Sequence, residues 1–184
     1  MSLTYAILAG ISQTPRTGYE LGKAFQGSIG FFWSASHQQI YRELERIHER
    51  GWATIAVQPQ SGKPDRKVYS LTEDGRKELK QWIEAPTEFG PAREPWLVKL
   101  FVGYLGDREK LIAEFTKERE RHEVQLTRYL EIEKEHFTQP GSLPEPAKFQ
   151  SYTLKYGISF EQAWLAWSAE VLDALRKDRS WEAG

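Results

Sequence analysis

The sequence predicts a mainly α-helical protein in two parts. The first is an N-terminal winged helix-turn-helix of three helices, a two-stranded wing and a closing helix; the second is a C-terminal long-helix dimerisation domain. Three observations predict it. Ser34 to Arg50 (SASHQQIYRELERIHER) carries Ile40, Leu44 and Ile47 at helical spacing. Two β-rich runs, WATIAVQ and RKVYSL, follow around the turn PQSGKPD, as a hairpin requires. Beyond a Pro-rich break lie two charged, aromatic-studded segments of about thirty residues, each roughly 45 Å long if helical.

Taken in order, residues 2–11 place Leu3, Ile7, Leu8 and Ile11 at near-helical spacing, which predicts a buried first helix. Pro15 and Gly18 break it, Thr17 can cap the next, and Tyr19 to Phe25 forms a short second helix with Leu21 and Phe25 inward. Gly18 and Tyr19 read as structural, a helix start and a core aromatic. QGSIGFFW is a glycine-punctuated connector, and its Phe31, Phe32 and Trp33 anchor the start of the third helix, Ser34–Arg50. Ser34 or Ser36 can cap that helix, and Gly51 suits the left-handed residue just past its end. After the hairpin, Thr72 caps TEDGRKELKQWIE, with Asp74 in the first turn and Leu79, Trp82 and Ile83 facing inward.

Residues 1–85 therefore form the winged domain, 86–95 (three prolines within APTEFGPAREP) a linker, and 96–180 a helical domain. There Trp96, Leu97, Leu100, Phe101 and Tyr104 mark a short helix. Gly106 breaks it, and Asp107 caps a helix running to about Phe137, with Leu111, Phe115, His122, Leu126, Tyr129 and Leu130 inward. A last helix, from about Ala147 to Lys177, sets Phe149, Tyr152, Tyr156, Phe160, Trp164, Trp167, Val171 and Leu175 along one side. Two long helices and a short third cannot cover one another's apolar faces, and an aromatic stripe of that size left wet marks an interface. The simplest solution is a two-fold homodimer with an antiparallel helical interface through Phe149, Tyr152, Tyr156, Phe160, Trp164, Trp167 and Val171.

Composition excludes several classes. With no cysteine there is no disulfide and no thiolate metal site. His37, His48, His122 and His136 show no HExxH spacing, so no metal or cofactor is expected. No G-x-S-x-G, Walker or GxGxxG pattern gives catalysis a foothold. MSLTYAILAGIS lacks a basic leader and is too short to span a membrane, so the expected location is the cytoplasm, with no membrane partner. The net charge of −1 divides into +2 for residues 1–85 (11 Lys/Arg against 9 Asp/Glu) and −3 for the rest (14 against 17). Local placement of cations, rather than this slight asymmetry, decides whether phosphate is bound.

That placement points to duplex DNA. Off the apolar stripe, the third helix opens with Ser34, Ser36, His37, Gln38 and Gln39, followed by Tyr41 and Arg42, where a plain surface helix carries Glu–Lys pairs. A helix that reads base edges needs such groups near its N-terminal end. Tyr41 fits either a phosphate contact through its hydroxyl or a half-buried place beside Leu44. At the wing tip, Lys63, Arg66 and Lys67 fit the backbone or minor groove, unless Asp65 takes Arg66 or Lys67 as an ion-pair partner. The alternative reading is a winged-helix protein-interaction module or scaffold without specific DNA binding.

Three blocks carry a resemblance to a known family: Pro15-Arg-Thr-Gly-Tyr-Glu-Leu21, Trp33-Ser-Ala-Ser-His-Gln-Gln-Ile-Tyr-Arg-Glu-Leu44 and Gly62-Lys-Pro-Asp-Arg-Lys-Val-Tyr-Ser-Leu-Thr-Glu-Asp-Gly75. They resemble PadR-type transcriptional regulators, particularly the longer, AphA-like branch. The likeness covers residues 1–85 block by block; over 95–180 only the layout of helices agrees. It implies a dimeric DNA-binding regulator acting on an operator, a repressor in many members and an activator in some, released in several by a small aromatic (phenolic) compound; Trp96, Phe101 and Tyr104, near the domain junction, are then the candidate pocket for such an effector. Some relatives place proline after the helix tyrosine; here Arg42 stands there.

Overall fold

The computed structural model describes residues 2–26, 29, 33–62, 65–87, 94–138 and 140–177. The chain divides into two compact units, residues 1–90 and 91–184. Among the described residues no helix is long and apolar enough to cross a membrane, and no group of His, Asp or Glu is placed to hold a metal ion.

The first unit runs α1 (Ser2–Ile11), β1 (Arg16–Thr17), α2 (Gly18–Gln26), α3 (His37–Glu49), β2 (Ala53–Gln58), β3 (Arg66–Leu71) and α4 (Glu73–Glu84). The three strands form an antiparallel sheet in the order β1-β3-β2, with Thr17 opposite Val68 and Ile55 opposite Tyr69. This is a winged helix-turn-helix, with β2 and β3 as the wing. Strand β1 was not foreseen: two residues carry no periodicity, and only the pairing with β3 makes them a strand. The core is aliphatic. Ile7, Leu8, Leu21, Ile40, Leu44 and Ile47 are fully buried, with Phe25, Ala53 and Tyr69 packed around them.

Local signals set the helix ends. Thr17 and Glu20 form a reciprocal cap at the start of α2: the Glu20 backbone N–H donates to Thr17 Oγ1 (3.2 Å) and the Thr17 N–H donates to Glu20 Oε2 (2.8 Å). Helix α3 is capped by Ser36 rather than Ser34, in a capping box with Gln39. It ends in a Schellman motif, Gly51 N–H to His48 O and Trp52 N–H to Ile47 O, with Gly51 at φ +73° as that bend requires. Thr72 caps α4 through the Gly75 N–H (3.0 Å).

Two expected core aromatics lie outside this core. Tyr19 is 58% exposed, with the Lys23 ammonium over its ring at 4.9 Å, because α2 turns Leu21 and Phe25 inward instead. On α4, Leu79 packs against the core, but Trp82 stays half exposed and Ile83 is 67% exposed. Trp82 stacks on Tyr5 at 4.6 Å, with the Tyr5 hydroxyl donating to Glu78 Oε1. Phe31 and Phe32 lie outside the described residues; Trp33 is partly buried against the core, as an anchor should be.

The second unit comprises α5 (Pro95–Phe101), a 3-10 turn (Gly103–Leu105), α6 (Arg108–His136), a second such turn (Pro140–Ser142) and α7 (Glu145–Lys177). Asp107 caps α6 by accepting from the Lys110 N–H, which holds its carboxyl below the ordinary aspartate value. Helices α6 and α7 pack along a seam of Phe115 and Tyr129 from α6 and Ser151, Leu154, Ile158, Glu161, Trp164, Ser168 and Leu172 from α7. Leu130, expected inward, is 43% exposed. The seam on α7 is rotated by roughly 120° from the aromatic stripe, at 100° per residue. It escaped notice in the sequence because small and polar residues build much of it. Gly157 admits the Tyr129 ring, whose Cε2 would lie 2.9 Å from a Cβ at that position. Arg119 crosses the seam to donate to Ser168 Oγ (2.8 Å), and His122 hydrogen-bonds Glu161.

Candidate nucleic-acid interface

Helix α3 has two unlike sides. One is sealed: Ile40, Leu44 and Ile47 are fully buried, and the buried Glu43 carboxylate accepts from the Thr4 hydroxyl and from Arg46 (3.2 Å), tying α3 to α1. The other side carries Ser34 and Ser36 just before the helix and His37, Gln38, Gln39, Tyr41 and Arg42 on it, all exposed. The structure thus brings the predicted polar set onto one accessible surface at the helix N-terminal end.

These residues are not equivalent. Ser36 Oγ and Gln39 Oε1 are engaged in the capping box (3.3 and 2.8 Å), which fixes the start of the helix and leaves the Gln39 amide nitrogen out of it. The His37 ring lies over Gly22 and the Tyr41 ring over Gly18. A Cβ at either glycine would meet its ring at 2.3 Å, so two glycines of α2 let the recognition-type pair of helices approach closely. Tyr41 nevertheless remains 46% exposed. Gln38 and Arg42 are exposed and have no hydrogen-bond or ion-pair partner among the described residues. A glutamine and an arginine so placed can make paired hydrogen bonds to adenine and guanine edges.

The wing contributes a second, smaller cationic surface. Lys67 is exposed on β3 with no ion pair among the described residues, while Lys63 lies outside the described residues. Arg66 is committed, but not to Asp65: its Nη2 lies 2.5 Å from Glu20 Oε1 on α2. Glu20 is the residue that sequence reading missed here. Its carboxyl is held below the ordinary glutamate value, first by the Thr17 backbone N–H, then by the Thr17 hydroxyl, and by the charges of Arg66 and Arg16. The only hint in the sequence was the T-x-x-E spacing from Thr17 to Glu20, which marks the cap but not the long-range ion pair.

In the second unit, the aromatic residues separate into two groups. Trp164 and Trp167 join Trp96 and Phe115 in a cluster with ring centroids 5.1–5.9 Å apart, and Val171 packs beside it. Trp164, buried, also stacks on His122 at 3.7 Å. Phe149, Tyr152, Tyr156 and Phe160 are exposed, Tyr156 the most at 73%. The proposed effector trio does not assemble. Phe101 is 85% exposed and Tyr104 is open to solvent, while Trp96 is drawn into the cluster, its indole N–H on Glu94. Beside Trp96 is a recess of about 50 Å³ lined by Leu100, Leu111 and Phe115, with Lys99 and Glu114 paired across it at 2.5 Å. That is smaller than the roughly 150 Å³ known to hold a benzene ring.

Against known proteins, residues 7–81 match the transcriptional regulator PadR-like family, and residues 92–176 match the virulence activator alpha C-terminal domain. The chain is 36% identical over 189 residues to the probable transcriptional regulator Rv1176c of Mycobacterium tuberculosis, covering 97% of this chain and 100% of that one. Among solved structures it is similar to Bacillus subtilis PadR in complex with operator DNA, at a TM-score of 0.81 and 25% identity over 95% of this chain and 99% of that one. It is similar too to the Vibrio cholerae virulence activator AphA, at 0.77 and 33% over 95% and 98%. Bacillus subtilis PadR in complex with p-coumaric acid shares the fold, at 0.74 and 23% over 96% and 100%. Members of this family are DNA-binding regulators rather than enzymes. With a relative of that identity along almost its whole length and both halves matched in order, this chain belongs to the PadR-like family of transcriptional regulators.

Proposed function

We propose that this regulator is a cytoplasmic homodimer that binds a near-palindromic duplex operator and represses the genes beside it. One observation carries the reading: the N-terminal end of α3 offers Gln38 and Arg42 without partners among the described residues, while its other side is locked into an aliphatic core. Side chains on so firmly seated a helix can be aimed at base edges, with Ser34, His37, Gln39 and Tyr41 flanking them. Lys67, with Arg66 and Lys63, would add backbone or minor-groove contact from the wing. The solved complex of Bacillus subtilis PadR with operator DNA supports the same partner for this chain.

The homodimer is supported by the row Phe149, Tyr152, Tyr156 and Phe160 on α7, an apolar face left exposed among the described residues. A dimer would set two α3 helices into successive major grooves, about 34 Å apart. A small aromatic effector completes the proposal. Its support is the p-coumaric acid complex of Bacillus subtilis PadR, together with the Trp96 cluster, whose recess would have to widen to admit a ring.

A gel shift with the DNA upstream of the chain's own gene tests the reading. Retardation of that fragment ahead of a shuffled one is expected, weakening steeply with salt as phosphate contacts release counterions. If the chain instead retains a protein and ignores both fragments, it is a winged-helix interaction module. Gln38→Ala is expected to change the order of preference among operator variants by about 1–3 kcal/mol at one base pair. Uniform weakening would remove Gln38 from base reading. Titration with phenolic acids is expected to change tryptophan fluorescence; a flat response removes the effector.

A further inference from the structure

We infer that Glu20 is a specificity-determining residue: its carboxylate holds the wing cation Arg66 against α2 and so suppresses binding to DNA of arbitrary sequence. The inference rests on the DNA-binding reading and adds to it a residue outside both α3 and the wing.

The geometry is a three-way junction. Glu20 lies in the first turn of α2, where Oε2 accepts from the Thr17 backbone N–H (2.8 Å) and the Thr17 hydroxyl (2.9 Å). Thr17 is paired with Val68 in the sheet, so the residue that donates to the carboxylate is itself held against the wing strand. Oε1 then receives Arg66, 46 residues away in sequence. Both side chains are a little over two-fifths exposed, so this pair faces solvent and any phosphate that arrives there. Arg16, on the same strand as Thr17, adds its positive charge around the same carboxylate.

A cation already paired to a carboxylate is a poor ligand for a passing polyanion. Non-specific binding consists almost wholly of phosphate contacts, so each cation withheld lowers it and reduces its salt slope. On a preferred operator the base contacts of α3 fix the phosphate in place, and Arg66 can be shared between it and Glu20. The carboxylate therefore penalises wrong DNA more than right DNA, which is discrimination through a repulsive element. Lys67, unpaired on the same strand, supplies the contrasting case.

The test uses the full-length chain, a duplex selected from a random library and a scrambled duplex of equal length, with binding measured across a salt series. Glu20→Gln removes the charge and keeps an oxygen for the Thr17 donors. It is expected to bind the scrambled duplex 3- to 10-fold more tightly, with the slope of log K against log salt steeper by about 0.9, the value for one further phosphate contact. Affinity for the selected duplex should change less, so the specificity ratio falls. Glu20→Asp, which keeps the charge, should restore the wild-type slope. In an Arg66→Ala background, Glu20→Gln should have no further effect. An unchanged slope, or an equal gain with Arg66 absent, overturns the role of the pair while leaving DNA binding intact. A wild-type chain that binds neither duplex removes the DNA-binding reading, and this inference with it.

Discussion

The two units solve the burial problem in opposite ways. Residues 1–90 close their core within themselves, with six aliphatic side chains fully buried and a cap at the start of α2, α3 and α4. The second unit buries one seam between α6 and α7 and leaves a row of four aromatic side chains facing outward. A compact cluster of short helices can surround a core, whereas two helices of 29 and 33 residues have more apolar face than each other to cover it with. The first unit therefore closes on itself, and the second leaves an apolar row that, in the homodimer proposed above, a second copy would cover.

The contrast can be broken most severely from the core side. Leu44→Ala, at a fully buried position, is expected to cost about 2–5 kcal/mol in chemical denaturation, as other buried leucines do. A loss under 1 kcal/mol would mean the first unit is less tightly closed than its burial implies. Tyr156→Glu is the matching change in the second unit. It should leave helix content intact, as surface substitutions do, yet weaken self-association by about 2 kcal/mol, roughly thirty-fold, by sedimentation equilibrium. An unaltered dimer would move the interface elsewhere.

Smaller effects sharpen the picture of the first unit. Lys67→Ala should weaken binding to all duplexes alike and reduce the salt slope by about 0.9; a change confined to one sequence would make it a base reader. The least effect is in acid. The Glu20 carboxyl is depressed in the folded chain, so its contribution is fully present above the ordinary glutamate range and disappears as pH falls through the lowered folded value. Wild type should thus lose stability more steeply than Glu20→Gln as pH drops below about 4.5, the ordinary glutamate value, in urea titrations. Parallel curves would show that the pair contributes nothing to folding.

What the sequence revealed was local. Thr17, Ser36, Thr72 and Asp107 as caps, Gly51 as a helix stop and the wing strands were all legible because each acts within a few residues. The exposed polar end of α3 was legible too, since its apolar stripe fixed which side faces out. What could not be read depends on partners far along the chain: β1 on β3, Arg66 on Glu20, and Trp96 on Trp164 and Trp167. The aromatic stripe of α7 was correctly spaced, but Trp164, Trp167 and Val171 are taken up inside the protomer, where α5 and α6 reach them. Side-chain size suggested one interface where the structure divides the stripe between two surfaces.

The central claim is that two copies of one firmly seated helix read one duplex. A hydroxyl-radical footprint on a duplex selected from a random library tests it most directly. The account predicts two protected blocks with centres 10 to 10.5 base pairs apart, or a multiple of that turn, related by a two-fold axis. A single unsymmetrical block, or uniform protection that tracks only with salt, would contradict it.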